Sequence, residues 1–224
     1  MFLWTDLLAL IRHPSAALSA IGSGRRAEQA VLALAASLLA PAIVAEVAGF
    51  GPYRPPADLG SLPTLTAQGA DVYARWVYLH RFMIPMVEIA AGLLLWLIAG
   101  LVIHLGARAQ KGKGSLAGFL KLVSFVSLVG LVALPISVLK TISDLSSNAK
   151  AQLSIGSLAG LAGLVVFAWE NWLLIVAARV HYALSTPRAV TSVLGPIGCL
   201  LLLAILVLVL AAIAAALVRP GGAL

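Results

Sequence analysis

The side chains that can carry chemistry in this sequence are a few ionisable and amide groups within or beside long apolar runs. Two acids, Glu88 and Glu170, have apolar residues on both sides. A charged group costs a few kcal/mol at bilayer depth, so such groups usually face protein or water. The two acids therefore indicate a polar path, a lipid-headgroup site or a proton site between helices.

The expected direction of each helix sorts these polar residues into two clusters at different depths. The predicted outer-leaflet cluster contains Glu46, Glu88 and Lys140. The predicted inner cluster contains His104, Lys121, Glu170 and Asn171. A structural alternative stays open for both clusters. Long side chains near helix ends reach the interface without a partner, and Glu170 and Asn171 can simply join neighbouring helices.

No enzymatic or metal-binding motif accompanies these residues. The sequence lacks a nucleophile elbow, a zinc-ligand spacing, a phosphate loop and a dinucleotide fingerprint. Its four histidines are scattered, and the single cysteine, Cys199, lies in an apolar run. We therefore predict a protein that is not an enzyme and needs no cofactor or metal.

The composition indicates a membrane protein. Of the 224 residues, 62% are hydrophobic and 10% are charged, against roughly 25% charged residues in soluble domains. Too few charges are present to cover a globule of this size with a wetted surface. The net charge of +7 does not indicate nucleic-acid binding, because the basic residues flank apolar runs as juxtamembrane charges do.

The apolar runs are long enough to cross the bilayer as helices. A span needs about 20 apolar residues, and a helix is the form that satisfies the backbone within each segment. We predict an all-α polytopic protein, a bundle of about five transmembrane helices within residues 29–218. The predicted spans are 29–48, 82–106, 116–142, 155–178 and 193–218.

Basic residues between the spans predict the orientation. One face collects seven of them: Arg12, Arg25, Arg26, Arg108, Lys111, Lys113 and Arg188. The other face collects five: Arg54, Arg75, Arg81, Lys150 and Arg219. The positive-inside rule then places the N-terminus in the cytoplasm and the C-terminus outside. Anionic lipid headgroups are expected at Arg25, Arg26, Arg108, Lys111 and Lys113.

Two segments outside the spans have a recognisable character. Residues 1–28 form a predicted cytoplasmic lead, in which an amphipathic helix lies on the membrane and Pro14 opens a second short helix. Residues 49–81 form the long extracytoplasmic connection, with prolines at its start and aromatic and basic residues at its end. The aromatic residues suit the headgroup layer.

Two features inside the spans concern helix packing. Pro135 removes a backbone donor from the third span and is a candidate kink. The sequence GSLAG occurs at residues 114–118 and again at 156–160. Each copy provides two glycines at a spacing that allows close helix approach, and the pair indicates either a weak repeat or coincidence.

Three stretches give the chain a resemblance to the Yip-domain family, the Ypt-interacting proteins and their prokaryotic relatives. They are LLALIRHPSAALSAI (7–21), KGKGSLAGFLKLVSFVSLVGLVALPISVL (111–139) and VHYALSTPRAVTSVLGPI (180–197). The resemblance implies five spans, a cytoplasmic N-terminus and a membrane-organising or trafficking-like role. The aspartate-leucine-tyrosine-glycine motif of the eukaryotic trafficking members is absent, so Rab-type GTPase binding is not implied.

Three functions compete at this point. The first is a non-enzymatic membrane-organising or partner-binding protein. The second is a small transporter or channel-like protein that uses Glu88 and Glu170 along a polar path. The third is an accessory subunit of a larger membrane complex. A homo-oligomer or a membrane-protein partner is compatible with each, and nucleic acid is not an expected partner.

Overall fold

The protein is described by a computed structural model that covers residues 2–48, 72, 75–76, 78–144, 149–196 and 198–199. These residues are mainly helical, and no strand occurs among them. In chain order the elements are α1 (Phe2–Arg12), α2 (Pro14–Gly24), α3 (Ala27–Ala48), α4 (Met83–Ala109), α5 (Leu116–Val126), a 3₁₀ helix (Ser127–Ala133), α6 (Leu134–Asp144) and α7 (Ala149–Tyr182).

Four segments of the described chain are long and apolar enough to cross a membrane. They are Ala27–Val44, Met83–Ala109, Leu116–Lys140 and Ser154–Tyr182. We refer to them as spans one to four. They coincide with the first four predicted spans, so the prediction of an all-α polytopic fold is confirmed.

Two predicted elements fall largely outside the described residues. Most of the fifth span, 193–218, lies there, although residues 186–196 are helical. Most of the 49–81 connection lies there as well. Both therefore stay predictions.

The third span changes its helical form halfway along. The α-helix gives way to the 3₁₀ helix Ser127–Ala133, which ends two residues before Pro135. Pro135 has no N–H to donate to the carbonyl four residues earlier. The N–H of the residue before it, Leu134, donates to the carbonyl of Leu131, which is the three-residue spacing of a 3₁₀ helix. The candidate kink at Pro135 thus adjoins a stretch of tighter winding.

The N-terminal lead forms a helical hairpin that packs on the bundle. Its second helix begins at Pro14, as expected from the position of the proline. The apolar face, however, is turned toward the protein, because Leu10 and Leu18 are fully buried in the same core as Phe119 and Leu173. Only part of the lead faces outward, with Trp4 65% exposed.

Polar contacts fix this hairpin to the ends of spans three and four. Lys121 Nζ donates to the carbonyls of Gly22 (2.7 Å) and Arg25 (3.0 Å), at the C-terminus of α2. Arg179 Nη2 donates to Ser15 Oγ at 3.2 Å, near the start of α2. A cation at a helix C-terminus is favourable because the carbonyls there carry partial negative charge.

The two GSLAG copies have different roles. A Cβ at Gly118 would lie 2.5 Å from His181 Cε1, and a Cβ at Gly114 would lie 2.7 Å from Tyr182 Cδ1. At Gly156 and Gly160, by contrast, a Cβ would meet nothing within 4 Å. Only the first copy is a close-packing site within the described residues.

Candidate functional site

A cavity of about 520 Å³ lies between span two, span three, span four and the helical segment after residue 186. Most of its lining is apolar, with Leu95, Val102 and Leu174 among the contributors. Four polar residues also line it: Trp96, Ser127, Glu170 and Asn171. A mainly apolar cavity with a few convergent polar groups is the usual form of a ligand site.

Glu170 is the only ionisable residue among the described residues that line this cavity. It lies near the middle of span four, and its carboxylate has no hydrogen bond or ion pair with any other described residue. A Cβ built on Gly130 would lie 3.2 Å from Glu170 Oε1. The 3₁₀ helix therefore provides room for the carboxylate because a glycine occupies the position opposite it.

The other polar groups differ in how far they are satisfied. Asn171 Nδ2 donates to the carbonyl of Phe167 at 2.8 Å, and Ser127 Oγ donates to the carbonyl of Val123 at 3.1 Å. The indole Nε1 of Trp96 is buried and has no hydrogen-bond partner among the described residues. A buried donor without an acceptor is costly, and Glu170 is the residue whose charged group lies in the lining.

The four residues of the predicted inner cluster lie at three separate positions in the structure. Glu170 and Asn171 share the cavity. His104 Nδ1 instead lies 2.7 Å from the hydroxyl of Tyr182, and Lys121 caps α2. Of the four predicted members, two lie together.

The predicted outer cluster contains residues that the structure places on different helices. Glu88 is an exposed residue of α4 and does not line the cavity. Glu46 is half-buried on α3, and Lys140 is exposed near the end of the third span. Neither acid forms an ion pair with a basic residue in the described part of the chain. The outer cluster stays a prediction.

The basic residues expected at headgroups lie at one end of the bundle, with different local contacts. Arg25 Nη2 donates to Asp6 Oδ1 at 2.7 Å, and Arg108 Nη1 donates to the carbonyl of Gly112 at 3.1 Å. Arg26, Lys111 and Lys113 are exposed. That all five meet anionic lipid headgroups stays a prediction.

Two candidate functional residues, Trp96 and Asp6, were not predicted from the sequence. Trp96 lies in the middle of span two, whereas membrane tryptophans usually lie at the interfaces, and this position was an available signal. Asp6 interrupts the apolar side of α1, but its pairing with Arg25 depends on how the hairpin folds. The sequence offers no spacing rule for that contact.

Comparisons with known proteins agree with this architecture. Searches of curated proteins and of solved structures gave no match. The Yip1 domain matches residues 8–210, which is most of the chain and includes all four described spans. The resemblance noted in the sequence is thereby confirmed, and this multi-pass integral membrane protein belongs to the Yip1 domain family.

Proposed function

We propose that this Yip1-family member is a non-enzymatic membrane-organising protein that binds a lipid-like ligand in the cavity lined by Glu170. The observation that carries the proposal is the cavity itself: an apolar space at membrane depth, lined by a carboxylate that has no partner among the described residues. The family match supports a membrane role of this kind, and the cavity gives that role a location.

The size of the cavity is compatible with a lipid-like molecule. Its volume of about 520 Å³ falls within the range of roughly 300–1,000 Å³ that is typical of small-molecule pockets. An apolar chain therefore fits the cavity.

The polar groups of the lining restrict the ligand further. Glu170 offers carboxylate oxygens in the lining. A ligand that carries a hydroxyl or an amide N–H would donate to them. We propose an apolar chain with one such group.

Native mass spectrometry of the chain released from mild detergent tests this proposal and also gives the number of protomers. Ala99 lines the cavity, so Ala99→Phe should reduce the fraction of protein with a retained lipid at least tenfold. Ala90→Phe is the matched control, because Ala90 is exposed on the same helix and outside the lining. Equal retention by wild type and Ala99→Phe would contradict the proposal.

Transport along a path from Glu88 to Glu170 is less well supported. The cavity is lined by Glu170 but not by Glu88, which is exposed on α4. We expect proteoliposomes of wild type, Glu88→Gln and Glu170→Gln to show the same proton and ion flux as empty liposomes. Wild-type flux that both substitutions abolish would favour a transporter.

The contacts at one end of the bundle support the proposed orientation. Lys113 N donates to the carbonyl of Tyr182 at 3.5 Å, and Arg179 contacts Ser15. The N-terminal hairpin, the connection that contains Lys113 and the end of span four therefore meet at the same end of the bundle, which supports a common side of the membrane. We propose that this side is cytoplasmic, because it carries the larger share of basic residues.

A further inference from the structure

A second pocket, of about 200 Å³, lies within the N-terminal hairpin and is separate from the cavity of Glu170. It is lined by small residues of α1 and α2, such as Ala9, Ala20 and Gly24, together with Asp6 and Arg25. The pocket exists because small side chains keep the two helices from filling the space between them.

The acid in this pocket is buried and only partly satisfied. Asp6 is 8% exposed, and its Oδ1 accepts the 2.7 Å bond from Arg25 Nη2. Its Oδ2 is buried and has no hydrogen-bond partner among the described residues. An ionised carboxylate accepts several hydrogen bonds, so the Asp6 carboxylate, which lines the pocket, has acceptor capacity left over, and a donor with positive charge would suit it best.

The base in the pocket remains accessible. The side chain of Arg25 is 29% exposed, and its guanidinium has five N–H groups, of which one bond to Asp6 is described. It lies 5.4 Å from the centre of the Phe2 ring, which orients it. Arginine is well suited to phosphate because its donors match the phosphate oxygens.

The position of the pocket indicates a lipid as the source of its ligand. Lys121, five residues after the start of the third span at Leu116, contacts the end of α2. Arg179, near the end of the fourth span, contacts its start. The hairpin thus lies at the level where those spans leave the hydrocarbon, which is where phospholipid headgroups lie.

We propose that this pocket binds the headgroup of a phosphoethanolamine lipid. The primary ammonium donates to the carboxylate of Asp6, and the phosphate accepts from Arg25. A phosphocholine headgroup has the same phosphate, but its quaternary ammonium has no N–H and cannot bond to Asp6. An anionic headgroup without an amine, such as that of phosphatidylglycerol, places no cation beside the carboxylate. The site therefore selects for the primary amine, which the general attraction of basic residues to anionic lipid does not explain.

Lipid binding to the full-length protein in detergent micelles tests the proposal, with short-chain phosphatidylethanolamine, phosphatidylcholine and phosphatidylglycerol of identical acyl chains. Wild type should bind the ethanolamine lipid at least tenfold more tightly than either of the others. Asp6→Asn should remove this preference, and Arg25→Gln should weaken binding of all three. Glu28→Gln is the matched control, because Glu28 is an exposed acid in the first turn of α3.

A second variant keeps the test valid if Asp6→Asn fails to fold. Ala20→Leu fills the pocket and leaves the Asp6–Arg25 pair in place, so it should also remove the preference while the protein unfolds at the wild-type temperature. Equal binding of ethanolamine and choline lipids by wild type would overturn the proposal, as would tighter binding of phosphatidylglycerol. If soluble phosphoethanolamine bound as tightly as the lipid, the inference that the ligand is a lipid would be overturned.

The outcome is independent of the ligand in the other cavity. Ala99→Phe lies away from the hairpin and should leave the ethanolamine preference unchanged. Loss of lipid retention in Ala99→Phe with the preference intact supports both sites. If wild type shows no preference for the ethanolamine lipid, only the proposal for the hairpin pocket is overturned.

Discussion

The hydroxyl of Tyr182 lies 2.7 Å from Nδ1 of His104, which joins the end of span four to the end of span two. Tyr182 is 1% exposed, and its ring centre is 5.2 Å from that of Phe119 in span three. The preceding residue of the helix, His181, places Nε2 2.8 Å from the carbonyl of Ser115. Three spans are thus held together at the end of the bundle that also carries the hairpin.

Removing the Tyr182 hydroxyl should destabilise the protein. Tyr182→Phe keeps the ring packing and loses one hydrogen bond, so we expect a loss of about 1 kcal/mol in the free energy of unfolding. Thermal unfolding in detergent measures it. In a His104→Phe background the same substitution should cost less, because the partner is already gone. Equal costs in both backgrounds would show that the bond contributes nothing.

Adding a methyl group at Gly112 should be harmful because backbone and buried side chain surround it. A Cβ there would lie 2.8 Å from Tyr182 Cβ and 2.9 Å from the carbonyl oxygen of Ala107. We expect Gly112→Ala to cost about 1–3 kcal/mol in the free energy of unfolding. Gly160→Ala is the control, since a Cβ there meets nothing within 4 Å. A similar loss in both variants would argue against close packing as the cause.

Replacing Lys121 should loosen the hairpin. Lys121→Met removes two charge-assisted hydrogen bonds to the end of α2, each worth about 1.5–3 kcal/mol, and keeps much of the apolar stem. Hydrogen exchange of residues 2–24 should therefore accelerate. Lys113→Met is the control, because Lys113 is exposed and its described contact is made by its backbone N–H. Unchanged exchange in Lys121→Met would show that apolar packing alone holds the hairpin.

Cysteine labelling should establish the proposed orientation. In a Cys199→Ser background, Ser61→Cys should react with a membrane-impermeant maleimide added to intact cells. Lys113→Cys should react only after the membrane is opened, because the positive-inside rule places it in the cytoplasm. The reverse labelling pattern would show that the orientation is the opposite of the one proposed. The contacts at that end of the bundle would be unaffected by this result.

Many properties of this protein follow from local stretches of sequence. The apolar runs predicted helices close to Ala27–Ala48, Met83–Ala109 and Ala149–Tyr182, because length and apolar character are local and lipid leaves the helix as the form that satisfies the backbone. The opening of α2 at Pro14 also followed from the residue itself. The degenerate stretches at 7–21, 111–139 and 180–197 were enough to indicate the family that the match at 8–210 confirms.

The partners of the polar residues were decided by the tertiary structure. The sequence grouped Lys121 with Glu170 by depth, yet Lys121 caps α2 and Glu170 faces Gly130. Depth follows from position along a helix, but contact also depends on how each helix is rotated and on what packs beside it. Likewise, the two GSLAG copies have identical residues, and only the first lies against a neighbour. Sequence alone determined which segments are in the membrane, and packing between helices determined which faces meet, because helix rotation is set by contacts between residues far apart in the chain.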